Sequence, residues 1–521
     1  MIRQFSYGPD LNIVETKAGK VRGFKLESTY VFQGMKYGDA KRFMPPTPVE
    51  PWEGVQDAIA YGFTAPSMGF NALGKNELTV THRFWPESED CLNLNVWTQS
   101  LDPSAKKPVM VWLHGGAMSG GSSVEMVVYD GTNLSQYGDC VVVSLNHRLN
   151  MLGYFDLSAF GERFKNSGNA GIEDLVLALQ WIHDNIEAFG GDPENVTIFG
   201  QSGGGIKVSV LLQTPAADGL FQKGIMMSGG AGRGQEPSYR HDKEIAELLI
   251  RELGGEDITV LETTPLDKLF EAYGNISDEI FDRGWFFMWM PVANDYFKGE
   301  PFYNGGFTEN AKKVKLIIGS TTGEFLAGRA IPNMDDIPEK DRRALILEHF
   351  AGKDEAVVDK VIDLFKKTYP GKNELILNIM DDRSGLLEYC DLRADTCSAE
   401  TYNYLFDYRF RGYNGGAPAW HCADIPYAFH NIDLVPVTNG DLASEWVQDA
   451  LFGAFKQFAH TGDPNGPGLA EWPVYASDTR ATMYFDVESK ARFNSDRELL
   501  EAYKDIAINP FTGGHYRRRK K

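Results

Sequence analysis

The sequence feature that most constrains the fold is a β-rich run that passes into a helical pattern through Gly-x-Ser-x-Gly. Residues 196–199 read Val-Thr-Ile-Phe, residues 200–204 read Gly-Gln-Ser-Gly-Gly, and residues 205–212 predict a helix. A turn this sharp needs glycine on both sides, because other side chains would crowd the backbone. It sets Ser202 at a helix N-terminus, where free N–H groups and the helix dipole favour negative charge. A serine nucleophile requires these conditions.

Strand and helix patterns alternate along most of the chain. Further strands are predicted at residues 92–97, 108–113, 140–145, 314–318 and 402–410. A long amphipathic pattern at 171–189 predicts a helix, and the Gly-Gly-Asp-Pro sequence at 190–193 predicts its end. The alternation predicts an α/β fold with a mostly parallel, twisted central sheet and helices on both faces.

Residues 13–37 predict a small antiparallel addition at the edge of this sheet. Because no linker composition separates the strands, we expect one domain with insertions over residues 1–521. We expect residues 510–521, which end in Arg-Arg-Arg-Lys-Lys, to be a flexible basic tail.

Charge and cysteine content exclude several classes of protein. The net charge of -21 and the pI of about 5.0 disfavour nucleic acid and acidic membranes as partners. There is no uncharged apolar run that would span a bilayer, and the first ten residues lack the apolar core of a secretion signal. Five cysteines without a Cys-x-x-Cys pair argue against a disulfide scaffold or a structural zinc site. We therefore expect a cytoplasmic protein, and the oligomeric state stays open.

A serine nucleophile also needs an oxyanion hole, a base and an acid. Residues 112–118 read Trp-Leu-His-Gly-Gly-Ala-Met directly after a predicted strand, and their small residues leave N–H groups accessible. Among the ten histidines we favour His421, which follows a late strand and a glycine-rich loop; His430 is the nearest rival. Glu324 follows the strand predicted at 314–318 by a short polar loop and is the candidate acid.

Three longer motifs indicate a family. They are Ser-Glu-Asp-Cys-Leu-Asn-Leu-Asn-Val at 88–96, Asn-His-Arg-Leu at 146–149 and Phe-Gly-Gly-Asp-Pro-Glu-Asn-Val-Thr at 189–197. With these, and with weaker matches from residue 34 to residue 465, the chain resembles the type-B carboxylesterases, the cholinesterase-like and para-nitrobenzyl esterase-like family of α/β-hydrolases. The resemblance implies a serine hydrolase that acts through an acyl-enzyme intermediate, with no metal and no cofactor.

The resemblance also assigns roles to individual residues. It places the catalytic triad on Ser202, Glu324 and His421. It places the oxyanion donors on the backbone N–H groups of Gly116, Ala117 and Gly203. It makes Ser228 a residue that supports the triad without being one of its members.

Three departures from the family pattern stand out. The family usually has Glu-Ser-Ala at the elbow, where this chain has Gln201, Ser202 and Gly203, and we expect Gly203 to loosen the turn. Cys91 matches a half-cystine whose partner falls near Ala65, so we expect packing alone to hold the intervening loop. The tryptophan that cholinesterases use for choline falls on Thr81, which argues against a choline-ester specialist.

The substrate pocket is the least constrained part of the prediction. An apolar cluster includes Trp285, Phe286 and Phe287, and we expect one of these to line the acyl side; core packing is the alternative. Met118 and Trp420 are candidates for the entrance. This pocket favours small-molecule esters that are apolar and uncharged, with a short to medium acyl chain or an aromatic alcohol. Amide or carbamate hydrolysis by the same triad and a non-catalytic binding homologue remain the alternatives.

Overall fold

The structure, a computed structural model, describes residues 4–68, 78–230, 240–285, 288–324, 333–380, 383–411, 416–438 and 442–507. The strands of these residues are β1 Phe5–Ser6, β2 Ile13–Glu15, β3 Lys20–Arg22, β4 Phe24–Leu26, β5 Thr29–Lys36, β6 Gly38–Asp39, β7 Thr47–Pro48, β8 Val55–Asp57, β9 Asn93–Thr98, β10 Lys107–Leu113, β11 Val141–Leu145, β12 Gly191–Gln201, β13 Lys223–Met227, β14 Lys315–Thr321, β15 Thr401–Phe406, β16 Thr482–Phe485 and β17 Lys490–Arg492. The helices are α1 Gly131–Gly138, α2 Asn150–Tyr154, α3 Ala170–Asn185, α4 Gly203–Leu212, α5 Asp242–Glu252, α6 Thr259–Thr263, α7 Leu266–Asp282, α8 Glu339–His349, α9 Glu355–Thr368, α10 Ser384–Thr396, α11 Ile425–Ala428, α12 Leu442–Thr461 and α13 Arg497–Tyr503.

A large sheet organises these elements in the order β1-β4-β5-β9-β11-β10-β12-β13-β14-β15-β16-β17. The strands from β11 to β16 in this order are parallel to one another. Antiparallel strands close both edges, with β1, β4, β5 and β9 on one side and β17 on the other. This architecture confirms the predicted mostly parallel α/β sheet.

The central strands are buried on both faces, which explains their nearly continuous apolar sequences. In β10, Val109 and Val111 point into one hydrophobic cluster, while Met110 and Trp112 point into a second cluster on the opposite face. Helix α3 packs its apolar residues into the first cluster, and α12 packs into the second. Helices therefore cover the sheet on both sides, as predicted.

The edges of several predicted elements differ from those observed. The antiparallel addition divides: β4 and β5 join the large sheet, while β2 and β3 pair with β8 in a small separate sheet. The helix predicted to begin at residue 205 begins at Gly203, because the chain turns through a single residue. The helix predicted at 171–189 is α-helical as far as Asn185 and 3₁₀ from Ile186 to Phe189. It stops at Gly190, which has the left-handed conformation that glycine favours at a helix end, as predicted.

The loop that a family disulfide would close is held in another way. All five cysteines are free, and Cys91 and Ala65 are both buried. Ser67 donates to the carboxylate of Glu87 at 2.7 Å, and backbone hydrogen bonds join Thr64 to Pro86 and Ser88. The prediction that packing alone holds this loop is therefore wrong, since a short ladder of hydrogen bonds replaces the disulfide.

Neither a membrane-spanning helix nor a cluster of metal ligands is found among the described residues. No helix there is long and apolar enough to cross a membrane. No group of three or more His, Cys, Asp or Glu side chains there is arranged to hold a metal ion.

Candidate active site

The predicted site residues lie at one edge of the sheet, after the carboxyl ends of five parallel strands. The glycine loop, residues 114–121, follows β10; Ser202 follows β12; Ser228 follows β13; Glu324 follows β14; and His421 follows β15. The carboxyl edge of a parallel sheet is where α/β proteins gather functional groups.

Ser202 occupies a strained backbone conformation at the strand–helix turn. Its φ of 58° and ψ of -122° lie outside the regions that non-glycine residues favour. Its N–H donates to the carbonyl of Met227 on β13 at 2.8 Å, and its carbonyl accepts from Ile206 at 3.1 Å. These bonds hold the turn, and the Ser202 side chain is partly exposed at its tip.

The glycines around Ser202 bring helix α4 directly against the glycine loop. A Cβ atom at Gly204 would lie 2.0 Å from the carbonyl oxygen of Leu113. A Cβ atom at Gly203 would lie 2.3 Å from the carbonyl oxygen of Ala117. Gly203 thus does not loosen the turn, as the sequence suggested; it permits a close backbone contact that alanine would prevent.

A main-chain bridge places Glu324 beside His421. Gly323 pairs with Trp420 as in parallel strands, and the N–H of Gly323 donates to the carbonyl of Ala419 at 2.7 Å. Glu324, the candidate acid, follows Gly323, and His421, the candidate base, follows Trp420, so the bridge brings the two side by side. Nδ1 of His421 lies 2.5 Å from Oε2 of Glu324, so a short hydrogen bond joins the two side chains.

The surroundings of Glu324 favour its ionised form. Its other oxygen, Oε1, accepts from the Ser228 hydroxyl and from the Thr321 N–H, both at 2.7 Å. Burial opposes ionisation, but the interaction with His421 and these two hydrogen bonds outweigh it, so the pKa of Glu324 is lowered. The carboxylate can therefore orient the imidazole and balance a positive charge on it.

Sequence reasoning missed the position of Gln201. Its Nε2 lies 3.3 Å from both ring nitrogens of His421, and its Oε1 accepts from the Cys422 thiol at 3.2 Å. The amide therefore links the residue before Ser202 to the histidine loop. In the sequence, only the position of Gln201 directly before Ser202 indicates that its side chain could lie in the site.

The glycine loop presents backbone donors beside Ser202. Gly116 and Ala117 have φ values of 81° and 51°, and the Gly116 carbonyl accepts from the N–H groups of Ser119 and Gly120, both at 3.1 Å. Among the described residues, none accepts a hydrogen bond from the N–H of Gly116, Ala117 or Gly203. The assignment of these three groups as oxyanion donors stays a prediction.

The rival histidines have other environments. His430 stacks on Tyr137 with a ring-centroid distance of 4.3 Å, and His460 contacts the carbonyl of Gly138. His114 and His147 are buried and stack on each other at 5.1 Å; burial holds both pKa values well below the ordinary range. Of the histidines considered, His421 is the one that contacts Glu324.

The structure describes three of the five predicted pocket residues, Met118, Trp285 and Trp420. Met118 and Trp420 are buried, with 0% and 1% of their surface exposed, and Trp420 packs on Phe410 with ring centroids 4.2 Å apart. Trp285 stacks on His241 at 4.7 Å, beyond the end of α7. Phe286 and Phe287 lie outside the described residues. The assignment of these residues to the substrate pocket stays a prediction.

Comparison with known proteins assigns the family. The family model described as "Carboxylesterase family" matches residues 10–503. The chain belongs to the carboxylesterase family. As a member, it is a carboxylic-ester hydrolase with an α/β-hydrolase fold, and the alternative of a non-catalytic binding homologue is set aside.

Its relatives include several named hydrolases. This carboxylesterase is 33% identical over 488 residues to a para-nitrobenzyl esterase of Bacillus subtilis, covering 91% of this chain and 95% of the relative. It is 31% identical to a phenmedipham hydrolase of Pseudarthrobacter oxydans, covering 90% and 94%. A solved structure of an esterase from Clostridium hathewayi, described as able to hydrolyse aliphatic aromatic polyesters, is 46% identical with a TM-score of 0.91, covering 97% and 100%.

Proposed function

We propose that this carboxylesterase cleaves apolar, uncharged esters with Ser202 as nucleophile, His421 as base and Glu324 as orienting acid. The observation that carries the proposal is the 2.5 Å contact between His421 and Glu324 at the sheet edge where Ser202 is held in a strained turn. Strain of this kind is characteristic of functional residues.

The reaction follows from these positions. His421 accepts the proton of Ser202 as the serine oxygen attacks the ester carbonyl, and Glu324 steadies the resulting imidazolium. The N–H groups of Gly116, Ala117 and Gly203 bind the oxyanion of the tetrahedral intermediate. His421 then protonates the leaving alcohol and activates the water that releases the acid. Because the base must be neutral, activity should rise through about pH 6–7.

The test is hydrolysis of a p-nitrophenyl ester series, from acetate to decanoate, by the wild type and by Ser202→Ala. We expect activity that peaks at one acyl length and is lost in the variant. A variant that keeps its activity would show that the elbow serine is misassigned. A rate that stays constant from pH 5 to 8 would contradict the assignment of the histidine base.

Aliphatic aromatic polyesters are a second candidate substrate, because a relative 46% identical to this chain is described as hydrolysing them. The surface also carries exposed apolar side chains, Phe63, Phe84 and Trp85, with 47%, 55% and 38% of their surface exposed. The segment that contains Phe84 and Trp85 is joined by a backbone hydrogen bond from Arg83 to the carbonyl of Glu125, close to the glycine loop. Release of acid from a polyester film by the wild type, and its loss in Phe84→Ala with soluble-ester activity retained, would support this candidate.

Carbamate hydrolysis remains the alternative, since a relative is a phenmedipham hydrolase. Comparing kcat/KM for phenmedipham and for a phenyl ester of similar size separates the two reactions. A ratio above one would favour the carbamate.

A further inference from the structure

A buried lysine lies behind the glycine loop and takes no part in the proposed reaction. Lys207 is the fifth residue of α4, and its side chain has no exposed surface. Its Nζ donates to the carbonyl oxygen of His114 at 2.7 Å. A lysine is very rarely buried completely without a partner, and here the partner is the first carbonyl of the glycine loop.

The groups around Lys207 form a closed polar cluster. His114 and His147 stack on each other close to Lys207, and Glu125 approaches it from the segment that follows the glycine loop. Glu125 in turn contacts the Tyr129 hydroxyl at 3.5 Å. Burial lowers the pKa of Lys207 to about 7, and the nearby Glu125 carboxylate opposes that shift. Both histidines are held neutral by burial, so the amino group and Glu125 are the members that can carry charge.

The carbonyl that Lys207 contacts lies just before the proposed oxyanion donors in the chain. Its peptide leads through Gly115 to the N–H groups of Gly116 and Ala117. Further along, the Met118 carbonyl is fixed by the Asn150 N–H at 2.7 Å. Hydrogen bonds thus hold the loop on both sides of these donors. The bond on the His114 side comes from a side chain of α4, the helix that directly follows Ser202.

We propose that Lys207 is a positioning residue that fixes the glycine loop so that the Gly116 and Ala117 N–H groups point at the substrate oxygen. This inference rests on the proposed function, since it assumes that these groups bind the oxyanion. It links the nucleophile helix to the oxyanion hole through one hydrogen bond.

The experiment is Lys207→Met, a change of similar length that removes the donor. Because positioned donors act in the transition state, we expect kcat to fall by about 10- to 100-fold while KM changes by less than about twofold. Affinity for an aryl trifluoromethyl ketone, which forms an oxyanion on the serine, should fall by a similar factor. A folding defect alone would lower the apparent kcat, because less enzyme is active, but it would leave the affinity of the folded molecules for this analogue unchanged.

The matched control is Lys223→Met, which removes another buried lysine at the amino end of β13, where it contacts Asn195. Its kcat and analogue affinity should equal those of the wild type. If Lys207→Met does not fold, Lys207→Gln is measured in its place, because its side chain is too short to reach the same oxygen.

Unchanged kcat in a folded Lys207 variant, or a rise in KM alone, would overturn the proposal. Failure of the proposed function has a different signature: a wild type without esterase activity, or an active Ser202→Ala variant.

Discussion

The contact between Gly203 and Ala117 leads to a sharp prediction, because the family usually has alanine at position 203. The Cβ of Gly203→Ala would lie 2.3 Å from the Ala117 carbonyl oxygen and 2.5 Å from its nitrogen. Both atoms belong to the backbone, so no side-chain rotation relieves the clash. A normal carbon–oxygen contact requires a separation larger by about 1 Å, so either the glycine loop or α4 must move by that distance.

The magnitude follows from that displacement. Forcing an extra methyl group into a packed contact typically lowers the free energy of unfolding by about 1–3 kcal/mol. A misplacement of about 1 Å at a catalytic group lowers the rate by roughly 10²-fold. Two proposed oxyanion donors, Ala117 and Gly203, meet at this contact, so we expect kcat to fall by about that factor.

The assay measures kcat and KM with a p-nitrophenyl ester, together with urea unfolding, for the wild type and Gly203→Ala. Gly274→Ala is the matched control, because Gly274 lies in α7 and a Cβ there would meet no atom within 4 Å. This control should keep full activity and gain up to about 1 kcal/mol of stability. Wild-type kcat and stability in Gly203→Ala would refute the reasoning, since the methyl group would then fit without displacement.

Three further substitutions test other contacts. Ser228→Ala removes a hydrogen bond to the Glu324 carboxylate, so kcat should fall by about tenfold with little change in KM; an unchanged kcat would show that this bond is dispensable. Burial raises the pKa of Asp424 to about 6, so this carboxyl stabilises the fold most below about pH 4 and loses that contribution as the pH rises through 6. The free energy of unfolding of Asp424→Asn, measured with urea, should therefore rise relative to that of the wild type by about 1 kcal/mol between pH 5 and pH 8. A difference between the two proteins that does not change with pH would contradict the raised pKa. Arg148→Met leaves the buried carboxylate of Asp174 without its charged partner at 2.6 Å, which should lower the free energy of unfolding by about 3–5 kcal/mol; a loss below 1 kcal/mol would mean that the ion pair is not needed.

The central sheet and the elbow could be predicted because their signals are local. Apolar runs such as residues 108–113 identify strands that are covered on both faces, and glycines on both sides of a serine identify a turn without room for side chains. The one-domain organisation of residues 1–521 and the cytoplasmic location stay predictions; a single cooperative unfolding transition would support the first.

The roles of Lys207 and Gln201 could not be predicted, because both depend on contacts between distant segments. A lysine in a helix ordinarily faces solvent, and nothing within α4 shows that the glycine loop covers it. Gln201 reaches His421 across 220 positions of sequence. The sequence could not assign the pocket residues for a related reason: apolar side chains at 285–290 have the same pattern whether they line a cavity or fill a core.

The bridge between Gly323 and Trp420 has a consequence for how such a hydrolase diversifies. Register in the main chain, rather than the residues between the two strands, sets the proposed acid beside the proposed base. Nearly a hundred residues separate Glu324 from His421, and they include α8, α9 and α10. Insertions, deletions and drift between Glu324 and β15 leave the pairing intact as long as β14 and β15 stay adjacent and Gly323 still pairs with Trp420. Selection for new substrates can therefore remodel this region freely, without each time rebuilding the chemistry.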